Sequence, residues 1–217
     1  MSAFAKSIRE ANEALGRKMC ASFISNGYKT ARYAATAEEA ASMALELIPD
    51  RCSVGVPGTV TVREIGLMEK LAEKNCTVYH HWDPTLTPET RGARLEAENK
   101  ADWFVTSSNA MTFDGRMVNI DGSGNRVAGM SWSLGKILYI VSVNKAERDL
   151  DSAIARARNS ATPPNVLRLN LATPCSKTGQ CVDCNSPERI CRVLTIIERA
   201  PLGRESHVIL VGETLGY

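Results

Sequence analysis

Residues 175–191 read CSKTGQCVDCNSPERIC, a C-x5-C-x2-C-x6-C pattern that gathers four thiols in one short segment. The two-residue gap lets Cys181 and Cys184 meet one metal or one cluster from a single tight turn. The gaps on either side span at most about 20 Å when extended, so Cys175 and Cys191 can loop back to the same centre. Pro174, Gly179 and Pro187 break regular structure and free backbone amides to turn toward sulfur. Lys177, Arg189 and Arg192 offset the charge of several thiolates. Structural zinc sites usually pair two C-x2-C knuckles across a longer spacer, and only one such pair is present. Iron–sulfur clusters accept less regular spacing within one segment. The pattern therefore predicts Cys175, Cys181, Cys184 and Cys191 as ligands of an iron–sulfur cluster, a 4Fe–4S cubane in first place, with zinc as the alternative. The reading without metal is a redox disulfide pair plus two buried thiols. Four cysteine ligands leave no open iron, so substrate could reach the cluster only if Cys175 or Cys191 stood aside.

Three polar segments offer further chemistry. Residues 54–66, VGVPGTVTVREIG, have the order strand, glycine turn, helix start. The turn at Gly58 and Thr59 can present backbone N–H groups to an anion. The segment is neither a Walker loop nor a dinucleotide fingerprint. Glu64 is expected either as a carboxylate facing substrate or as a capping partner of Thr61. Residues 119–126, NIDGSGNR, form a tight polar loop after a strand. Here Asp121, Gly122, Gly124 and Asn125 are candidate site residues, and Arg126 can fork onto a carboxylate or phosphate. The alternative is a turn closed by Asx hydrogen bonds. Ser107, Ser108 and Asn109 end another strand, where open α/β sheets bind ligands. His80 and His81 end a further strand and are weighed chiefly as surface or packing residues; no Ser/His/Asp order stands out as a triad.

The elements that must position these groups alternate. Phe4, Ile8, Ala11, Leu15, Met19 and Phe23 recur at helical spacing and predict a helix over the first 26 residues. Thr36 to Glu39 is a capping box that opens a helix to about residue 48. Strands are expected at 52–56, 77–80, 103–106 and 137–143, and helices at 61–74, 88–100 and 145–159, the last capped by Asn144. Asp114-Gly115 signals a hairpin. Beyond Pro163-Pro164 the alternation breaks, and the apolar runs 193–198 and 207–211 are expected as a hairpin or edge element. The pattern predicts βαβ units: an α/β fold with a mostly parallel sheet flanked by helices.

The 217 residues, 44% of them hydrophobic, suffice for one domain spanning the chain. A net charge of +2 gives no argument for nucleic acid. No apolar run is long enough for a membrane span, and the charged N-terminus lacks a signal-peptide core. Seven cysteines without an export signal fit reduced thiols and a cytoplasmic location. Cys20, Cys52 and Cys76 are expected as ordinary packed thiols outside the metal site.

The segments 54–66 and 119–126, together with TPC before residue 176 and ICR through Arg192, resemble the LUD-domain family, the LutC-like lactate-utilization proteins. The resemblance covers nearly the whole chain, in the short form that carries its own C-terminal cysteines. It implies a fold similar to the NagB/RpiA/CoA-transferase group, which includes 5-formyltetrahydrofolate cyclo-ligase. LutC-like proteins accompany iron–sulfur partners in oxidising lactate to pyruvate. The chain lacks the multi-cluster segments of the larger partner and carries no flavin or nicotinamide fingerprint. Three functions are thus in play. One is an iron–sulfur protein acting on, or assisting, redox conversion of a small hydroxy or keto acid, with Arg126 on the carboxylate. Another is a CoA-transferase or ligase-like enzyme with Glu64 as nucleophile or base and a structural metal. The last is a non-enzymatic assembly subunit. The expected partners are a small carboxylate, with room for a redox partner protein and a homo-oligomer, and neither nucleic acid nor membrane.

Overall fold

The computed structural model describes residues 3–217; Met1 and Ser2, where the expected first helix would begin, lie outside them. The chain runs α1 (Ala3–Ser25), β1 (Thr30–Ala34), α2 (Ala37–Leu47), β2 (Ser53–Gly55), α3 (Val60–Glu64), α4 (Leu67–Glu73), β3 (Thr77–Tyr79), α5 (Pro88–Lys100), β4 (Trp103–Thr106), β5 (Ala110–Thr112), β6 (Met117–Asp121), α6 (Asn125–Ser131) and β7 (Lys136–Ser142). It continues with β8 (Ala146–Glu147), α7 (Leu150–Arg156), α8 (Thr162–Arg168), α9 (Pro174–Thr178), β9 (Val193–Ile197) and β10 (Ser206–Val211). A six-stranded sheet of order β1-β10-β7-β4-β2-β3 is parallel throughout. A second, four-stranded sheet has the order β8-β5-β6-β9, with antiparallel pairs on both sides of β6.

The alternation of side chains along a strand explains the two-sided core. Leu138 and Ile140 of β7, with Ile209 and Val211 of β10, meet Ala40, Ala41 and Ala44 of α2 and Leu67 and Leu71 of α4. Ile137, Tyr139 and Val141, with Val208 and Leu210, meet Met19 and Phe23 of α1 on the other face. Each fully buried Val, Leu, Ile, Met or Phe among them contributes about 1.5–3 kcal/mol by leaving water. The N-terminal half of the expected α1 stripe does not join in: Phe4 and Ile8 are exposed. Among the described residues no helix is long and apolar enough to cross a membrane.

Several expectations are corrected. The run at 207–211 is no edge or hairpin: β10 lies inside the main sheet between β1 and β7. All its residues are buried, as a parallel strand covered on both faces requires. β9 is an edge strand as expected, ending the second sheet beside β6. The helix expected over 61–74 breaks at Gly66, whose φ is +63°. Asn144 caps nothing; Val143–Lys145 is a short 3-10 turn, and Asp149 caps α7 by accepting from the Ser152 amide. Pro163 and Pro164 do not end the helical stretch. A π turn over Ala157–Ala161 joins α7 to α8, so the helical stretch runs past its expected end near residue 159 to Arg168.

Candidate functional site

A cleft of about 490 Å³ opens at the carboxyl ends of the central strands. The turn after β2 supplies Gly58 and Thr59, the segment after β4 supplies Ser107 to Asn109, and the loop after β6 supplies Asp121, Gly122, Asn125 and Arg126. These predicted site residues therefore converge. Gly124 is the left-handed N-cap of α6 behind the lining, with φ +87°. Glu64 lies in a neighbouring depression rather than in the cleft.

The geometry separates the roles of these groups. Asp121 Oδ1 accepts the Ser123 and Gly124 amides and Oδ2 accepts the Val127 amide, so the carboxylate closes its own loop and starts α6. Arg126 donates to Asn119 Oδ1 at 2.6 Å, Asn109 Oδ1 at 2.9 Å, the Ile120 carbonyl at 2.8 Å and the Ser107 carbonyl at 3.3 Å. Asp121 Oδ2 stands 3.9 Å from its Nε. The guanidinium is spent on protein acceptors and binds the strand-end segments to one another. Glu64 Oε2 accepts the Gly216 amide at 2.6 Å. Gly216 then passes over the floor of the cleft, where an added Cβ would sit 2.8 Å from Lys145 Nζ.

Two groups without an assigned role in the sequence reading stand out. Lys145, 3% exposed, reaches the cleft from just after β7. Its Nζ donates to Thr61 Oγ1 at 2.9 Å and to Ser107 Oγ at 3.5 Å. No carboxylate lies within salt-bridge reach of it among the described residues. Burial, helped by the positive charges of Arg156 and Arg126 and opposed by Glu64, brings its pKa down to about 7. The signal was positional: an ionisable residue directly follows the most apolar strand, at its carboxyl end. The second group is His81, whose Nδ1 lies 2.8 Å from Glu98 Oε1. Glu98 is buried on α5, and desolvation raises its pKa against the pull of His81. Gly55 permits this pairing, since a Cβ there would strike the Glu98 carbonyl at 2.0 Å. His81 turns its other ring edge toward Gly58, where an added Cβ would stand 4.0 Å from Nε2. Sequence spacing could not have revealed the pair, because Glu98 reads as one charge among many on a polar helix. Arg91 and Arg168 add positive charge to the cleft, and Asp83 adds negative charge.

The cysteine segment packs against this cleft. Ile190 lines it, and a Cβ on Gly122 would meet the Ile190 carbonyl at 3.4 Å. The Arg192 amide donates to the Asp121 carbonyl at 3.1 Å. Burial raises the pKa of the Cys191 thiol, the Thr162 hydroxyl opposes this, and Cys181 and Cys175 lie near enough to raise it further. Arg189 feels the charges of both Cys191 and Cys184, and its guanidinium donates to the carbonyls of both. Thiolates are donors suited to soft metals, and Cys191 feels the charges of Cys181 and Cys175. Among the described residues no three His, Cys, Asp or Glu side chains stand close enough together to hold an ion as placed. The other cysteines differ. Cys20 is on α1, while Cys52 and Cys76 sit side by side at the starts of β2 and β3 with their Sγ atoms 3.8 Å apart. Burial pushes Cys52 up to about 12.

A parallel six-stranded sheet flanked by helices, with a polar cleft at its carboxyl ends, defines an α/β protein of the open-sheet class. The family model of the LUD domain matches residues 7–211, and the chain belongs to that family. A DUF162 family protein from Deinococcus radiodurans, known from its crystal structure, shares the fold at a TM-score of 0.52 and 13% identity, over 92% of this chain and 97% of that one. No curated protein matches the chain.

Proposed function

We propose that the cleft binds a small hydroxy or keto acid as its anion, and that Cys175, Cys181, Cys184 and Cys191 hold an iron–sulfur cluster beside it. The protein would then take part in lactate-type redox metabolism together with an electron-carrying partner. The observation that carries this reading is the shared wall: Thr162 and Ile190 line the cleft, and each adjoins Cys191. A cluster bound there would supply one-electron transfer. The protein's own groups would do the rest. Arg91 and Arg168 attract the carboxylate, and Arg126 fixes the walls rather than the ligand. His81, oriented by Glu98, offers Nε2 to the hydroxyl proton of a hydroxy acid. Glu64 as a covalent nucleophile of a transferase finds less support, because it lies outside the cleft and its carboxylate anchors Gly216.

The test is anaerobic purification followed by iron, acid-labile sulfide and zinc analysis, with calorimetry of lactate and pyruvate binding. Iron and sulfide in near-equal amounts are expected, lost in the Cys181→Ser/Cys184→Ser variant while the fold persists. Zinc without sulfide would sink the cluster and keep the ligand assignment. Undiminished metal in the double variant would remove the site.

A further inference from the structure

Lys145 is an unusual group to leave at the floor of a cleft. Its amine is nearly enclosed, yet it lines the space a ligand would enter. Its hydrogen-bond partners are the hydroxyls of Thr61 and Ser107. The charged groups that influence it are the guanidinium groups of Arg156 and Arg126 and, more weakly, the Glu64 carboxylate. A desolvated lysine beside fixed cations keeps a sizeable free-base fraction near neutral pH, and a free-base amine is a nucleophile toward carbonyl carbon.

We infer that Lys145 captures a 2-oxo acid covalently as an imine, its Nζ attacking the keto carbon while the carboxylate faces the cationic rim of the cleft. The inference rests on the cleft taking a small keto acid, as proposed above, and adds the bond that holds it. The step balances without an oxidant. The nitrogen lone pair forms the N–C bond, and the carbonyl π pair moves to oxygen. That oxygen then leaves as water with the two protons the amine gives up, and a C=N bond remains. Thr61 and Ser107, already bonded to Nζ, stand where protons must pass between nitrogen and oxygen. The hydroxy acid has no keto carbonyl and cannot be held this way, so the two redox partners of the pair are bound differently.

The experiment treats the full chain, purified anaerobically, with pyruvate and cyanoborohydride near pH 7.5, then maps reduced adducts by peptide mass spectrometry. Lys6, Lys18 and Lys70 in the same sample serve as internal references. An ordinary lysine is only about 0.1% free base at that pH, so Lys145 should carry at least roughly tenfold more adduct than any of these. L-Lactate in place of pyruvate should give none. Lys145→Arg should lose the adduct at position 145 and leave labelling of the reference lysines unchanged. If that variant does not fold, the wild-type map decides alone. Pyruvate binding by calorimetry without enrichment at Lys145 would overturn the imine and leave the keto-acid reading standing. Neither binding nor enrichment would overturn both.

Discussion

Arg126 and Lys145 line one cleft from two sides, and they are held in opposite ways. The Arg126 side is well partnered: four oxygens from Ser107, Asn109, Asn119 and Ile120 receive the donors of its two terminal nitrogens, and Asp121 supplies the countercharge 3.9 Å from Nε. On the Lys145 side no carboxylate lies within salt-bridge reach among the described residues, and two hydroxyls accept from the amine. A buried charge with most of its donors used organises its surroundings, whereas one left short of partners is costly and is available for a ligand. Sequence reasoning picked the arginine because it sits in a glycine-rich loop. The hydrogen-bond inventory favours the lysine.

The contrast breaks most visibly at Arg126. Arg126→Met would leave the Asn109 and Asn119 side-chain oxygens and the Ile120 carbonyl without their charged donor. Breaking such a network typically costs about 3–5 kcal/mol. Urea unfolding should show the midpoint falling accordingly with an unchanged slope. A loss below about 1 kcal/mol, within the range of an ordinary surface change, would mean that Arg126 is not the clamp described. Arg126→Lys should fall between, since one ammonium cannot span acceptors on both the segment after β4 and β6.

Lys145→Met should behave in the opposite sense. In the folded protein its pKa is brought down to about 7, from an ordinary value of 10.5. Between those values the unfolded chain holds a proton that the folded one has released. Wild-type stability therefore rises as pH climbs from about 7 toward about 10, and is lowest below 7, where folding buries the charge. The methionine variant lacks this rise. It should match or exceed the wild type at pH 7 by about 1–2 kcal/mol, with the difference shrinking toward pH 10. Denaturant unfolding at several pH values measures it, and parallel curves for the two proteins would refute the assignment of a free, desolvated amine.

Much of the framework was legible for a physical reason. Periodicity, caps and turn residues are local, so Thr36 and the Asp114-Gly115 turn marked their elements correctly. The convergence of Gly58 and Asn109 followed from one rule about strand ends in parallel sheets, whereas Asp121 comes to the cleft from β6 of the second sheet, where both pairs are antiparallel. What escaped was long-range. β10 inserts between β1 and β7 after more than 60 residues of intervening chain, and a run of apolar residues carries no record of its neighbours. The Glu98–His81 pair depends on α5 lying close over Gly55, a packing event with no local signature. Cys52 and Cys76 looked scattered because their meeting is set by strand register, Ser53 opposite Thr77.

Glu64→Gln gives the smallest expected effect and sharpens the comparison most finely. Its carboxylate is exposed and accepts the Gly216 amide, and a glutamine oxygen can take over that bond at lower strength. Stability should change by no more than about 1 kcal/mol. Its electrostatic consequence reaches further, because Glu64 is the carboxylate that raises the Lys145 pKa. Without that charge the amine loses its proton at lower pH. The pH midpoint of pyruvate trapping at Lys145 should therefore move down by a fraction of a unit, while calorimetric pyruvate affinity near pH 7.5 stays within about threefold, equivalent to under 1 kcal/mol. An upward shift would mean that Glu64 does not act on the lysine through its charge. Complete loss of pyruvate binding in a folded variant would return Glu64 to the site as a group that touches the ligand, as the transferase-like reading of the chain requires.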